Sequence, residues 1–322
     1  MMQETLPVFS KEEYGRAHAL LASRVAYMMG RKLEEDDWTN VYCVAKGIPE
    51  QGWSNLNIDV IHRGLGVEHK MLCKVSDKSI LTWCGTSQMH PALTRSIRIE
   101  TVNEKPDVVM RSVFRQYAEL VENRRAKIKE TPQTEDSDIR IGWLLWQESL
   151  KEFLYFEYEM IAPNSDDYWA EWRETKGSGR KGSKNLWIFH KETKQKRYSI
   201  TTQAGIKIQP YFDVPPPNDP NLYYFVVQGE TLESELIRIW VTLSTARELE
   251  RLIGGLETVR LSKTIVELAG RLEAVEDFDA TVDNEARPLV ITNEAYIALQ
   301  NAFEGVSDEH RLQLFAAYLR EH

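Results

Sequence analysis

The chain has 322 residues, of which 42% are hydrophobic and 28% are charged, and its formal net charge is −9. This composition is typical of a globular protein long enough for two domains, and no apolar stretch approaches the roughly 18 residues of a membrane span. The N-terminal residues do not resemble a secretory signal, and Cys43, Cys73 and Cys84 lack metal-ligand spacing. We therefore expect a cytoplasmic protein with free thiols and no membrane partner.

The first predicted element is an amphipathic helix over residues 11–32. Apolar or small residues recur there at helical spacing, and Ser10 with Glu13 forms a capping box at its start. This helix precedes the most informative stretch of the chain.

A β-hairpin is predicted over residues 56–75. Two apolar runs, 56–61 and 67–75, flank a tight turn over 63–66 that contains two glycines. Asp59 lies in the first run, while Glu68 and Lys70 are two residues apart in the second and share one face. Two carboxylates and an ammonium are costly to bury without a purpose, and carboxylate oxygens suit a hard divalent cation.

The spacing of Asp59 and the triplet Glu68-His69-Lys70 resembles the active-site hairpin of the PD-(D/E)XK nuclease superfamily, which includes most restriction endonucleases. The resemblance covers residues 10–160. It implies that Asp59 and Glu68 bind Mg²⁺ with the His69 carbonyl as a further ligand, and that Lys70 orients or activates the attacking water. The chain departs from the family pattern in having Ile58 instead of proline before the acid, and in a short spacing between the two acids.

Acid-any-lysine triplets occur three times in the chain, at 68–70, 174–176 and 192–194. Only the first lies on an apolar strand that follows a strand with an aspartate. The alternative interpretation is a surface hairpin in which Glu68 and Lys70 form an ordinary salt bridge.

A second amphipathic helix is predicted over 106–129, followed by strands over 139–146 and 153–161. The order helix, hairpin, helix, strands predicts an α/β fold with a mixed sheet flanked by helices, as in a restriction-endonuclease-like core. We expect a catalytic domain over 1–165 and a recognition or dimerisation region over 166–322. Arg95 and Arg98, between the hairpin and the second helix, are candidate DNA contacts or ordinary surface residues.

Residues 176–197 contain eight lysines and arginines and one acid. Strands are predicted over 186–190, 197–202 and 206–212, within a basic β segment over 173–228. Such a segment is suited to contacting DNA phosphates, or else it is a solvated hairpin whose lysines protect a sheet edge. The glycines lack the lysine-serine order of a phosphate-binding loop, so we expect no nucleotide cofactor. The candidate DNA contacts here are Arg180, Lys181, Lys184, Lys194, Lys196 and Arg197.

The acidic segment over 231–322 has nine lysines and arginines against 17 acids. Helices are predicted over 232–252, 256–272, 293–302 and 308–320, and no internal repeat is visible. This segment is interpreted as a dimerisation or recognition module.

The resemblance implies a Mg²⁺-dependent endonuclease, similar to type II restriction enzymes, that hydrolyses phosphodiester bonds in double-stranded DNA. Because cleavage of both strands usually requires two active sites, we expect a homodimer. Size and layout are also similar to those of enzymes that cleave cytosine-methylated sites. Two alternatives remain: a DNA-binding protein without catalysis, and a structural, partner-binding protein whose hairpin holds only a salt bridge.

Overall fold

The computed structural model describes residues 3–28, 32–49, 58–76, 78–90, 97, 99, 103–130, 137–175, 183–201, 207–233, 235–272 and 285–322. These residues contain seven α-helices and 14 β-strands, which confirms the predicted α/β class. No helix among them is long and apolar enough to cross a membrane.

The elements follow one another along the chain in three groups. The first group is β1 (Thr5–Leu6), α1 (Lys11–Ala26), α2 (Glu35–Lys46), β2 (Val60–His62), β3 (Leu65–Lys74), β4 (Ser87–Met89), α3 (Pro106–Lys129), β5 (Asp138–Gln147) and β6 (Glu152–Glu159). The second is β7 (Tyr168–Thr175), β8 (Ser183–His190), β9 (Lys196–Thr201), β10 (Lys207–Asp213) and β11 (Tyr223–Val226). The third is β12 (Glu230–Thr231), β13 (Leu236–Thr242), α4 (Leu243–Ile253), α5 (Thr258–Ala269), β14 (Ala286–Thr292), α6 (Asn293–Ala302) and α7 (Asp308–Glu321).

The first sheet is mixed, as predicted. Its strand order is β1-β6-β5-β3-β2, and β11 also pairs with β6. Strands β3 and β5 are parallel because the chain crosses between them through α3, and the other pairs are antiparallel. Residues of α1 and α2 form a core with one face of this sheet, and residues of α3 form a second core with the other face.

The second sheet is antiparallel and has the order β4-β10-β9-β8-β7. One of its faces packs on the first half of α3, where Leu186 and Ile188 of β8 join a core with Val113 and Phe114. The second half of α3 packs on the first sheet, so one long helix connects the two layers.

The third group is a small module with its own core. Strands β13 and β14 are antiparallel, α4 packs on α7, and α5 packs on α6. The predicted helix over 232–252 is wrong in its first half, because β13 occupies residues 236–242 before α4 begins.

This module is an internal repeat that the sequence analysis did not recognise. Its two β-α-α units begin at residues 236 and 286, their first helices at 243 and 293, and their second helices at 258 and 308. Ile239 pairs directly with its counterpart Leu289, so an approximate two-fold axis passes through the strand pair. Thr242 and Thr292 cap the first helix of each unit with the same side-chain hydrogen bond.

The strand pairing crosses the domain boundary expected at residue 165. Strand β11 follows residue 165 in the chain but pairs with β6 in the first sheet. Strand β4 precedes residue 165 but pairs with β10 in the second sheet. The two expected domains are therefore not separable by one cut in the chain.

Candidate active site

A two-residue turn sets the register of the hairpin. Arg63 and Gly64 have φ of 45° and 82°, and His62 pairs directly with Leu65. Positive φ at both central positions is the geometry of the tight turns that match strand twist. The turn is shorter than predicted, since Leu65 and Gly66 already belong to β3.

Gly66 allows the helix α3 to approach the hairpin closely. A Cβ atom at this position would clash with the side chain of Ile128 on α3. Because Arg124 lies one turn earlier on the same helix, the glycine also sets how near its guanidinium comes to β3.

The three residues predicted from the sequence lie together. Lys70 Nζ is 3.0 Å from Glu68 Oε1 and donates a 2.7 Å hydrogen bond to the carbonyl oxygen of His69. The His69 amide donates a 2.6 Å hydrogen bond to Asp59 Oδ2, which ties the aspartate to the strand that carries the other two. The structure thus brings two acids and a lysine to one end of the hairpin.

Two more charged residues join this cluster, and neither was predicted from the sequence. Glu35, in the first turn of α2, lies 3.3 Å from Lys70 Nζ. Arg124 of α3 lies 3.2 Å from Glu68 Oε2. The cluster therefore contains three carboxylates and two cations, with Glu68, Lys70 and Arg124 largely buried.

The surplus of acids affects their proton affinity. Loss of hydration, followed by repulsion from Glu68, raises the pKa of Asp59 to about 6 even though this residue reaches the protein surface. Loss of hydration also raises the pKa of Glu35. Burial alone would lower the pKa of Lys70, but attraction to Glu68, Glu35 and Asp59 raises it, so Lys70 is protonated at neutral pH.

The side chain of His69 faces away from the cluster, as its place between Glu68 and Lys70 predicts. It is fully buried, and its Nδ1 lies 2.8 Å from Thr39 Oγ1 on α2. Burial and then the charge of Lys70 lower the pKa of His69 to about 3, so the ring is neutral. Its role here is to pack β3 against α2.

The donor chemistry fits a hard divalent cation. Within the part of the chain that the structure describes, no three His, Cys, Asp or Glu side chains are grouped to hold a metal ion. Two carboxylates are nevertheless sufficient for Mg²⁺, which keeps several of its waters. Asp59 and Glu68 are the residues that would hold it. In this structure Glu68 pairs with Lys70 and Arg124, and the His69 carbonyl accepts one hydrogen bond from Lys70.

A cavity of about 690 Å³ opens on the same face of the first sheet. Its lining residues Ile141 and Trp143 are the partners of Glu68 and Lys70 in the parallel register of β3 and β5. Paired residues of neighbouring strands project to the same side, so Glu68 and Lys70 lie on the sheet face that carries this cavity, although no residue of the charged cluster lines it. Seven aromatic residues line it: Tyr117, Trp143, Tyr158, Tyr168, Tyr198, Tyr211 and Phe212.

Three candidate DNA contacts of the basic segment, Lys184, Lys196 and Arg197, lie on strands of the second sheet. Lys184 and Lys196 lie over the rings of Trp172 and Trp187, at 4.7 and 3.9 Å. Arg197 pairs through both of its terminal nitrogens with Asp213, and Lys194 is exposed in the turn between β8 and β9. Arg95, Arg98, Arg180 and Lys181 lie outside the described residues.

The other two acid-any-lysine triplets have a different setting. Glu174 is exposed on β7 and pairs in register with Lys184, while Lys176 lies outside the described residues. Glu192 is exposed in the turn after β8. Neither has the buried setting of Glu68.

Comparison with known proteins gave no match: no protein-family model, no curated protein and no solved structure matches this chain.

Proposed function

We propose that this protein is a Mg²⁺-dependent endonuclease that hydrolyses phosphodiester bonds of double-stranded DNA in the manner of type II restriction enzymes. One observation carries the proposal: Asp59, Glu68 and Lys70 converge at one end of a hairpin, in the arrangement that the sequence resemblance implies. A bound Mg²⁺ would supply an activated water and charge stabilisation at the phosphate.

The residues of the chain have separate roles in this scheme. Asp59 and Glu68 provide the oxygens that hold the cation. Lys70 is held between Glu68 and Glu35 and stays protonated, so it stabilises negative charge at the phosphate and orients water instead of removing a proton from it. Arg124 fixes Glu68 from the other side.

The charge balance favours this function over a structural hairpin. Glu68 and Lys70 do form the salt bridge that the alternative requires. Beyond this pair the cluster includes two more acids, Asp59 and Glu35, and loss of hydration with repulsion from Glu68 raises the pKa of Asp59 to about 6. A carboxylate with a raised pKa beside a second acid and a lysine is typical of a functional site.

Digestion of plasmid DNA tests the proposal directly. We expect cleavage with Mg²⁺ and none with EDTA, since the two carboxylates need a metal ion to act on a phosphate. Cytosine-methylated and unmethylated plasmids digested side by side separate an enzyme that methylation blocks from one that requires it. Binding without cleavage of either plasmid would favour the non-catalytic DNA-binding alternative.

The affinity for Mg²⁺ should depend on pH. Asp59, with a pKa of about 6, must lose its proton before it can bind a cation. We therefore expect the affinity for Mg²⁺, measured by calorimetry, to fall about tenfold for each pH unit below 6 and to be nearly constant above pH 7. In the Asp59→Asn variant this pH dependence should be lost, and an unchanged profile would show that another group controls it.

A further inference from the structure

The second sheet carries aromatic side chains on the face that points away from α3 as well as apolar side chains on the face that packs on it. On β8, Leu186 and Ile188 enter the core beneath α3, whereas Trp187 and Phe189 project to the opposite side. The aromatic residues on that outer side are Trp169, Trp187, Phe189 and Tyr211. Among the described residues, none of these four rings belongs to a hydrophobic core. We call these four rings the outer aromatic face.

The four rings form a continuous surface with a cation inside it. Trp169 and Phe189 are stacked with centroids 4.5 Å apart and planes 13° from parallel. Lys196, opposite Phe189 in the register of β8 and β9, places its Nζ 3.9 Å from the ring of Trp187 and 5.0 Å from that of Tyr211. Each ring is half-buried by its neighbours, so its outer surface stays accessible.

The charge on this face is positive. The guanidinium of Arg173 also lies over the ring of Trp187, 5.6 Å from its centroid. Arg173 forms an ion pair with Glu171, an acid on the same face of β7. The face lies within residues 169–211, which include the most basic segment of an acidic chain. A ligand that matches it must offer flat π surfaces and negative charge together.

We infer that the outer aromatic face binds unpaired nucleobases of single-stranded nucleic acid by stacking, with Lys196 and Arg173 near its phosphates. Bases stack on aromatic side chains largely without regard to sequence, and cations beside the rings add to the binding. Cross-strand aromatic pairs also stabilise a sheet, but cations among the rings are not needed for that purpose. The face is on a different sheet from Asp59, and the inference does not depend on nuclease activity.

Binding of a fluorescently labelled oligothymidylate of about 20 nucleotides tests this inference, with EDTA present and fluorescence anisotropy as the readout. Thymidylate forms no competing secondary structure. We expect Trp187→Ala and Trp169→Ala each to weaken binding about tenfold, and Trp187→Phe to keep most of it. Lys196→Met should lower the slope of log affinity against log salt by about 0.7.

Tyr27→Ala is the matched control, because Tyr27 also carries a cation over its ring, Arg24 at 5.5 Å, at the end of α1. It should bind the oligonucleotide as the wild type does. Melting curves will show whether each variant is folded. We expect both variants to fold, because the side chains of Trp169 and Trp187 are only half-buried.

Three results would overturn the inference. The first is an unchanged affinity in both alanine variants, and the second is no binding by the wild-type protein. The third is a Trp187→Ala variant that binds the oligonucleotide as the wild type does but changes its oligomeric state in light scattering. That result would identify the face as a contact between two copies of the chain. Equal affinities of Trp187→Ala and the wild type for a duplex of the same length would support stacking of unpaired bases.

Discussion

We expect Asp59→Asn, Glu68→Gln and Lys70→Ala each to lower the rate of DNA cleavage by at least about a hundredfold, while the protein still folds and binds DNA. Each change removes a charge from the cluster that would hold the cation and the phosphate. Cleavage of a plasmid under single-turnover conditions, together with a binding assay in EDTA, separates lost chemistry from lost binding. Glu174→Gln and Glu192→Gln are matched controls, since they alter the other two acid-any-lysine triplets at exposed positions.

Thermal stability gives a readout of the same cluster that does not involve activity. Because the folded protein raises the pKa of Asp59 to about 6, ionising this carboxylate above that pH destabilises the metal-free fold. Asp59→Asn should therefore melt up to about 2 °C higher than the wild type in EDTA at pH 7. Mg²⁺ should raise the melting temperature of the wild type and not that of the variant.

For the cleavage assay, a wild-type rate in any two of the three variants Asp59→Asn, Glu68→Gln and Lys70→Ala would contradict the assignment of the site.

The hairpin and the helix α3 could be predicted from the sequence because their signals are local. The turn needs positive φ at Arg63 and Gly64, and strand alternation alone places Glu68 and Lys70 on one side. Pro106 at the first turn of α3 and its apolar spacing predicted both ends of that helix. Such features depend on residues within one or two turns of each other.

The helix α2, and with it Glu35, was missed because its sequence favours a helix weakly. Residues 35–46 include Asp, Asn, Thr and aromatic side chains, and burial of Trp38 and Tyr42 in the core stabilises the helix instead. Two capping signals were present, the pairing of Glu34 with Asp37 and Gly47 after the last turn. Arg124 reaches Glu68 only because Gly66 lets α3 approach, which no local pattern reveals.

The error at β13 has a different cause. Residues 237–241 are apolar apart from Arg238, and three of them are β-branched, which favours a strand; the helical spacing of α4 nevertheless extends the predicted helix backwards over them. The repeat was missed because its two units share the spacing of their elements and the threonine caps but few other residues. The repeat is a feature of packing geometry, since both units contribute to one shared core and one strand pair.

We expect a fragment that ends at residue 165 not to fold, contrary to the domain boundary predicted from the sequence. It would lack β11, which pairs along four residues with β6 and buries Phe225 completely in the core under α1 and α2. It would also lose the hydroxyl of Tyr223, which accepts hydrogen bonds of 3.0 Å from the amides of Val8 and Phe9. Without the second sheet, the first half of α3 would expose its apolar side.

A fragment that ends at residue 228 is the matched comparison, because it retains both large sheets. We expect it to melt cooperatively in circular dichroism, whereas the shorter fragment should show no cooperative transition. In the full-length protein, Phe225→Ala should lower the free energy of unfolding by about 3–5 kcal/mol, since it leaves a cavity in the core that β11 completes. A cooperative transition in the fragment that ends at residue 165 would show that the first sheet closes without β11, and that the chain does divide where its loop composition suggests.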